Sequence, residues 1–256
     1  MQIKLKRQNE ILSILRAMQK EVHVEQFSKI LGVSSLTIRR DLQQLSIENS
    51  VIRTHGGALL AGTASLEKEY YRKVAYNFKL KEAIGKSVVK KIKQGEVILI
   101  NDGSTTYHLS YHLSEIGALT VYTNSIAMIS EISRFNKIKL YILGGEYNSE
   151  LYSLYGSLTE QVLESIHFDK VFLGVDAIND NGQCMVNSIE EARMTKTMLQ
   201  RGDEKILLAD HTKVDKNGYI AYGTLQEFDL WITTSGMDSD KINEFRKKTN
   251  IEEVSL

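Results

Sequence analysis

Hydrophobic and polar positions follow two regimes along the 256-residue chain. Over residues 1–58 the apolar side chains recur at the spacing of helices that bury one face. From about Tyr76 such helices alternate with short unbroken apolar runs. In the first regime Ile11, Leu12, Ile14, Leu15 and Met18 predict a helix over 9–18, and Phe27, Ile30 and Leu31 predict a second over 24–31. Ile38, Leu42 and Leu45 fall at i, i+4 and i+7 and give one buried stripe to a third helix in 33–45. Gly32-Val33-Ser34 is the turn before it, with Ser34 or Ser35 as the cap. Residues 51–58 read as a short β-wing. Asn49 sits where the turn into the wing wants positive φ, and Gly56-Gly57 gives similar freedom at the far end.

Residues 59–75 lack a strong period and contain Gly62, Thr63, Ala64 and Ser65; they predict a linker, with a short helix over 67–72 leading out of it. Beyond it a helix carrying Ile84, Val88 and Ile92 stops at Gly95. Strands are predicted over 97–100, 119–122, 138–143, 170–175, 205–209 and 229–233, and helices over 106–113, 125–134, 158–166, 190–201 and 238–249. This alternation argues for an α/β domain with a mainly parallel sheet. The expected organisation is a winged helix-turn-helix domain over 1–58, a linker over 59–75 and an α/β domain over 76–256 that senses an effector and forms oligomers.

The third helix carries distinctive chemistry. At about 100° per residue, Leu36, Arg40 and Gln43 lie opposite its buried stripe, Thr37 and Gln44 border that face, and Arg39 and Asp41 take the flanks. A helix of this size and polarity fits the DNA major groove. Ser35, Leu36, Thr37, Arg40 and Gln43 are the candidates for the base edges, with Leu36 suited to a thymine methyl, and Ser34 is a further DNA-binding candidate. Arg39, Arg53 and His55 are the candidates for phosphate or the minor groove. Residues 1–58 hold nine Lys and Arg against five Asp and Glu, a net of +4, and the remainder holds 23 against 27, a net of −4. That excess suits phosphate contact. The alternative is a small helical protein-interaction domain with ordinary solvated charges. One such head makes too small an interface for tight specific binding, so a dimer or tetramer on repeated operator half-sites is expected.

In parallel sheets ligands bind outside the carboxyl ends of the strands. The first strand here runs into Asn101-Asp102-Gly103-Ser104-Thr105-Thr106. Such a turn at a helix start offers backbone N–H groups, hydroxyls and a positive dipole end to a phosphate, although Ser and Thr there also serve as plain caps. The other strands end in Thr123-Asn124, Gly144-Gly145, Gly174-Val175-Asp176 and Asp210-His211-Thr212-Lys213. Together these groups suit a phosphorylated polyol, with N–H groups and Lys213 for phosphate and Asp and Asn side chains for hydroxyls.

Composition narrows the setting. Hydrophobic content of 42% and charged content of 25% are ordinary for a soluble globular protein. The single Cys184 excludes an internal disulfide framework and is compatible with the cytosol; it is a packed thiol or a reactive one. No apolar run approaches the roughly 20 residues that cross a bilayer, and the basic start leads into an amphipathic helix, so a cytoplasmic protein with no membrane attachment is expected. The six histidines are scattered and form no Cys/His cluster, so neither a metal nor a cofactor is expected.

Thr37-Ile38-Arg39-Arg40-Asp41-Leu42, followed by Arg53-Thr54-His55-Gly56-Gly57-Ala58, resembles the DNA-binding signature of DeoR-family transcriptional regulators, with Asn49 where the family usually has Gly. Gly103-Ser104-Thr105-Thr106, Thr123-Asn124-Ser125, Leu143-Gly144-Gly145, residues 168–176, Glu191 with Lys196, and Leu208-Ala209-Asp210-His211-Thr212-Lys213 resemble the family's carboxyl-terminal domain. That resemblance implies a ribose-5-phosphate-isomerase-like fold and a sugar-phosphate or related effector. The strand-end reading and the resemblance together give an effector site of Asp102, Gly103, Ser104, Thr105, Thr106, Asn124, Gly144, Gly145, Asp176, Glu191, Lys196, Asp210 and Lys213. Two departures stand out. Asn101-Asp102 replaces the usual Asp and small residue, and Val214 stands where an aromatic is common.

The competing function is catalysis. Asp176, Glu191 and Lys196 are the residue types that move a proton beside a carbonyl. Glu191 and Lys196 sit about 140° apart on the predicted helix, so they need not share a pocket. An attached DNA-binding head has no use in an isomerase, which favours a regulator, most simply a repressor of sugar or carbohydrate genes. A purely architectural DNA-binding protein would show no ligand-dependent change in operator affinity.

Overall fold

The computed structural model describes residues 2–18, 21–48, 50–54, 56–60, 67–216 and 218–256. Asn49, His55 and the Gly62, Thr63, Ala64 and Ser65 stretch lie outside the described residues. The chain divides into two compact units, Met1–Tyr76 and Asn77–Leu256.

The first unit contains α1 (Gln2–Met18), β1 (Val22–His23), α2 (Val24–Leu31), α3 (Ser35–Ile47), β2 (Val51–Arg53), β3 (Gly57–Leu60) and α4 (Glu67–Ala75). Ile11 and Leu15 of α1, Phe27 of α2, and Ile38, Leu42 and Leu45 of α3 close one apolar core with Val22, Val51 and Ala58. Gly32 ends α2 in the left-handed region at φ 64, and Ser34 caps α3 by accepting the Thr37 N–H at 3.3 Å. The three strands pair antiparallel in the order β1-β3-β2.

Four features differ from the sequence reading. The first helix begins at Gln2 instead of Asn9. Lys4, Leu5, Lys6, Arg7 and Gln8 are good helix formers. Arg7 has a structural task, because its guanidinium forms a two-pronged ion pair with the Asp41 carboxylate of α3. Asp41 is therefore not an exposed flank of the recognition helix but a buried residue, 1% exposed. The third strand β1 was not anticipated; two residues carry too little pattern to be seen. Finally, Leu59 and Leu60 belong to β3, and the short helix expected over 67–72 extends to Ala75 and packs against β2.

The second unit runs α5 (Phe78–Val88), β4 (Val97–Ile100), α6 (Thr106–Ser110), β5 (Leu119–Thr123), α7 (Ala127–Ile132), β6 (Ile138–Ile142), β7 (Glu146–Asn148), β8 (Ser153–Tyr155), α8 (Ser157–Glu164), β9 (Phe168–Leu173), β10 (Ala177–Ile178), β11 (Gln183–Val186), α9 (Ile189–Leu199), β12 (Gly202–Leu208), β13 (Ile220–Thr224), β14 (Leu230–Thr234), α10 (Ser239–Arg246) and β15 (Asn250–Val254). Seven parallel strands form one sheet in the order β15-β14-β12-β9-β4-β5-β6. Ile98, Leu99 and Ile100 are buried, as a strand covered on both faces requires. Leu99, Phe168, Val171, Leu173, Leu207 and Trp231 meet Leu163 of α8, Met198 and Leu199 of α9 and Phe245 of α10 in one core.

The predicted strands all appear, with shifted ends. The β7–β8 hairpin, the antiparallel sheet β10-β11-β13 and the edge strand β15 are additions. The helix expected over 106–113 is only the five residues of α6, with a 3-10 turn at Leu113–Glu115 beyond it. Among the described residues no helix is long and apolar enough to cross a membrane. Cys184 is buried and its thiol is pushed well up by that burial, so it is a packed thiol and not a reactive one.

The wing is held by close backbone approach. A Cβ on Gly57 would sit 2.0 Å from the Val22 carbonyl oxygen. Gly57→Ala should therefore part β1 from β3 and destabilise the first unit by about 1–3 kcal/mol. Hydrogen exchange of the Val22 and Ala58 amides should accelerate, and unchanged exchange there would contradict this account of the wing.

Candidate functional site

The polar face of α3 sorts into occupied and outward groups. Ser34 is engaged as the cap, and its hydroxyl also meets Thr37 Oγ1 at 2.9 Å, so the Thr37 hydroxyl is held locally. Gln44 Nε2 donates to Glu48 Oε1 at 2.9 Å one turn on. Ser35 is half-buried at the helix start. Arg39, Arg40 and Gln43 are exposed, and Leu36 is 59% exposed. Arg53 of β2 reaches back to this face, and its Nη1 donates to Gln43 Oε1. Burial, and next the positive charge of Arg39, lower the Arg53 pKa, so the two guanidiniums feel each other. Two like charges held together on the wing side of a groove-sized helix suit a phosphate.

In the second unit the parallel sheet brings the carboxyl ends of β4, β5, β6, β9 and β12 to one edge. Asn101, just after β4, organises the first loop. Its Oδ1 accepts from the Gly103 N–H at 3.3 Å, the Thr106 Oγ1–H at 3.0 Å and the Gly174 N–H at 3.1 Å. Thr106 is fully buried, and the one proton of its hydroxyl has the Asn101 and Gly103 carbonyls, each at 2.8 Å, as alternative acceptors, so it is a structural member of the loop. Thr105 is buried as well. The N–H groups of Ser104 and Thr105 have no backbone acceptor among the described residues. Because α6 is a single short turn, its dipole adds little here, and the charge comes from a side chain instead. Lys81 of α5, 2% exposed, donates from Nζ to Ser104 Oγ at 3.0 Å.

Asp102 points the other way. It is buried and accepts a hydrogen bond from the Tyr155 hydroxyl of β8. Burial raises its pKa, and the neighbouring Ser153, Tyr155 and Asn124 side chains oppose that rise. Tyr155 is raised by its own burial and then by the charges of Asp102 and Glu191. Tyr222 donates to the Gly174 carbonyl at 2.9 Å and is raised by burial first, with Glu191 and Asp176 contributing. Asp102, Glu191 and Asp176 thus share one electrostatic neighbourhood, in which Asn187 Nδ2 holds Asp176 Oδ2 at 2.7 Å. Asn124 Oδ1 and Ser125 Oγ beside it are buried with no hydrogen-bond partner among the described residues.

The remaining candidates divide. Asp210 Oδ1 accepts from the Thr212 N–H at 3.0 Å and from its hydroxyl, and its Oδ2 is buried without a partner among the described residues. Lys213 is half-buried on that turn. Gly144 and Gly145 are exposed, and their constraint is structural: the Gly144 carbonyl accepts from Thr159 at 2.6 Å, and a Cβ on Gly145 would lie 2.2 Å from the Tyr155 carbonyl oxygen. Glu191 is half-buried beside the acidic cluster, whereas Lys196 is exposed further along α9.

Sequence reasoning missed Lys81, Ser153, Tyr155 and the anchoring part of Asn101. Lys81 left a signal, since it lies on the same stripe as Ile84 and Val88, and a lysine at a core position of a helix asks for a reason. Ser153 and Tyr155 lay in a stretch with no visible period.

Residues 7–63 match the family model described as the DeoR-like helix-turn-helix domain, and residues 76–235 match that of the DeoR C terminal sensor domain. The HTH-type transcriptional regulator GlpR of Haloferax volcanii is 31% identical over 86% of each chain. The HTH-type transcriptional repressor GlcR of Bacillus subtilis is 33% identical over 83% of this chain and 81% of that one. The lactose phosphotransferase system repressor of Lactococcus lactis is 31% identical over 97% of this chain and 98% of that one.

Asp102 leaves a measurable trace. The folded chain keeps its proton to higher pH than the unfolded chain does, so stability falls as pH rises from the ordinary carboxylate range through the raised pKa. Asp102→Asn should melt higher than the native chain, with the gap opening as pH rises through that window and closing below it. A gap that does not change with pH would show that Asp102 does not titrate across the window.

Proposed function

The chain belongs to the DeoR family of DNA-binding transcriptional regulators, and we propose that it represses sugar or carbohydrate genes until a phosphorylated sugar occupies its second unit. The observation that carries the effector half is the buried Lys81 ammonium on Ser104 Oγ, beside two N–H groups without backbone acceptors. A buried cation next to free donors suits a phosphate dianion. The acidic side of the rim, with Asp102, Asp176, Glu191, Asn124 and Asp210, supplies acceptors for the hydroxyls of a sugar. Gly103 lets the first loop close against Asn101 and Gly174, and Lys213 adds a second cation near the rim.

In the head, Leu36, Arg40 and Gln43 face base edges, with Ser35 at the helix start. Arg39 and Arg53 take phosphate, and the sequence assigns His55 the same task. Two or four copies read repeated half-sites. The protein binds its sugar without turning it over. Lys196 is exposed while Glu191 is half-buried, and an attached DNA-binding head has no use in an isomerase. It acts in the cytoplasm, where operators and phosphorylated sugars meet. The effector controls the head only through a difference in its affinity for two states of the protein. A coupling of about 1–3 kcal/mol changes operator affinity some 5–150-fold.

The test is a thermal-shift panel of pentose and hexose phosphates, followed by operator release with the compound that raises the melting temperature. Lys81→Met should abolish the shift and the release while operator binding persists. Arg40→Ala should do the reverse: binding weakens by about 1–3 kcal/mol and base preference relaxes at one position, while the thermal shift remains. Steady conversion of any sugar phosphate, abolished by Glu191→Gln, would overturn the reading. So would a full effector response in Lys81→Met.

A further inference from the structure

The recognition helix carries two adjacent glutamines, and the fold treats them differently. Gln44 is tied to Glu48 on its own helix, whereas Gln43 is exposed and its amide oxygen takes the Arg53 Nη1–H from the wing. A guanidinium has only donors, so the amide must face it with oxygen; the flipped amide would set donor against donor. The hydrogen bond is charge-assisted, which makes the orientation firm. Among the described residues Arg53 has no second side-chain anchor: its Nε is buried without a partner, and the charge of Arg39 opposes its own. The guanidinium therefore holds Gln43, and Gln43 holds the guanidinium.

This changes what the amide can read. A free glutamine recognises adenine with both ends, its oxygen accepting from N6 and its nitrogen donating to N7. Oε1 keeps a second lone pair, but with the C=O turned to Arg53 the amide is no longer placed to meet adenine with both ends, and Nε2, a pure donor, is the end turned away from the wing. We propose that Arg53 is a specificity-determining residue that acts through Gln43: it turns the amide so that Gln43 selects guanine, whose major-groove edge offers two acceptors, over adenine. The proposal rests on α3 being the groove-reading helix. It adds that the wing sets the code at one position instead of contacting only phosphate.

The test uses the full chain and a randomised duplex library, sequenced after selection. The native protein is compared with Q43A, R53M and R53K. The position read by Gln43 is the one whose preference Q43A loses. There the native protein should select guanine, and R53M should move the guanine-to-adenine ratio by about tenfold toward adenine while other positions keep their bases. R53K restores the positive charge without the planar fork, so it should recover overall affinity but not the guanine preference. An R53M protein that binds every sequence more weakly with guanine preference intact would overturn the proposal, making Arg53 a phosphate contact only. Adenine selected by the native protein, or no position altered in Q43A while others stay sharp, would overturn it too and leave the DNA-reading head standing. A native protein that selects no sequence at all would instead bring down the reading of α3 itself.

Discussion

One amide oxygen sets the rim of the second unit. Asn101 Oδ1 accepts the Gly103 and Gly174 N–H groups, with the Thr106 hydroxyl also within reach, and so ties the end of β4 to the end of its neighbour β9. The tie draws the two loops so close that a Cβ on Gly103 would lie 3.4 Å from the Gly174 Cα. Removing this acceptor would leave buried donors unsatisfied, which costs more than the bond itself contributes. With Gly103 and Thr106 turned inward to Asn101, the N–H groups of the two residues between them are left for something other than the backbone. A carboxylate at 101 would accept the same donors but add a negative charge to the loop. The amide avoids that, and the carboxylate stands one residue on, at Asp102, turned toward Tyr155.

The head follows the same division of labour. Arg7 with Asp41 and Ser34 with Thr37 hold polar groups inside the first unit and fix the axis and start of α3. The side chains that remain outward, Leu36, Arg39, Arg40 and Gln43, are then carried on a helix that does not have to find its position on contact with DNA. Pre-ordering of this kind removes an entropic cost from binding.

What could be read from the sequence follows from how each residue is held. The strands of the parallel sheet were legible because burial on both faces leaves an unbroken apolar run, as in Val97-Ile98-Leu99-Ile100. β7, with Glu146-Tyr147-Asn148, and β15, with Asn250-Ile251-Glu252-Glu253-Val254, carry no such run because one is an exposed hairpin and the other an edge. The recognition helix was legible from its stripe and cap, and most of its outward face with it. Asp41 was misjudged because its partner lies in a helix 34 positions away, and no local pattern announces a long-range ion pair. The same limit applies to the glutamines. The bond from Gln44 to Glu48 is visible as an i, i+4 pair, whereas the one from Arg53 to Gln43 exists only once the wing has folded back. Lys81 and Tyr155 reach the rim from α5 and β8, elements that precede and follow the strand ends where ligand groups are sought.

The rim is polar in two senses, and this bears on which phosphorylated molecule it suits. Lys81 with the Ser104 and Thr105 N–H groups makes one side electropositive. Asp102, Glu191 and Asp176 make the other side rich in acceptors. Inorganic phosphate would satisfy the first side and meet repulsion or nothing at the second. A phosphorylated polyol carries its charge at one end and hydroxyl donors along the rest, so it matches both. Asp102 is the costly member of this arrangement, because burial disfavours its charged form and outweighs the hydrogen bonds from Ser153, Tyr155, its own backbone and Asn124 that oppose it. A ligand hydroxyl donating to it would stabilise the charged form, and the protein would gain from the ligand at the group it holds least comfortably. A gain of that kind differs between the occupied and empty states, and only such a difference can move a regulatory equilibrium.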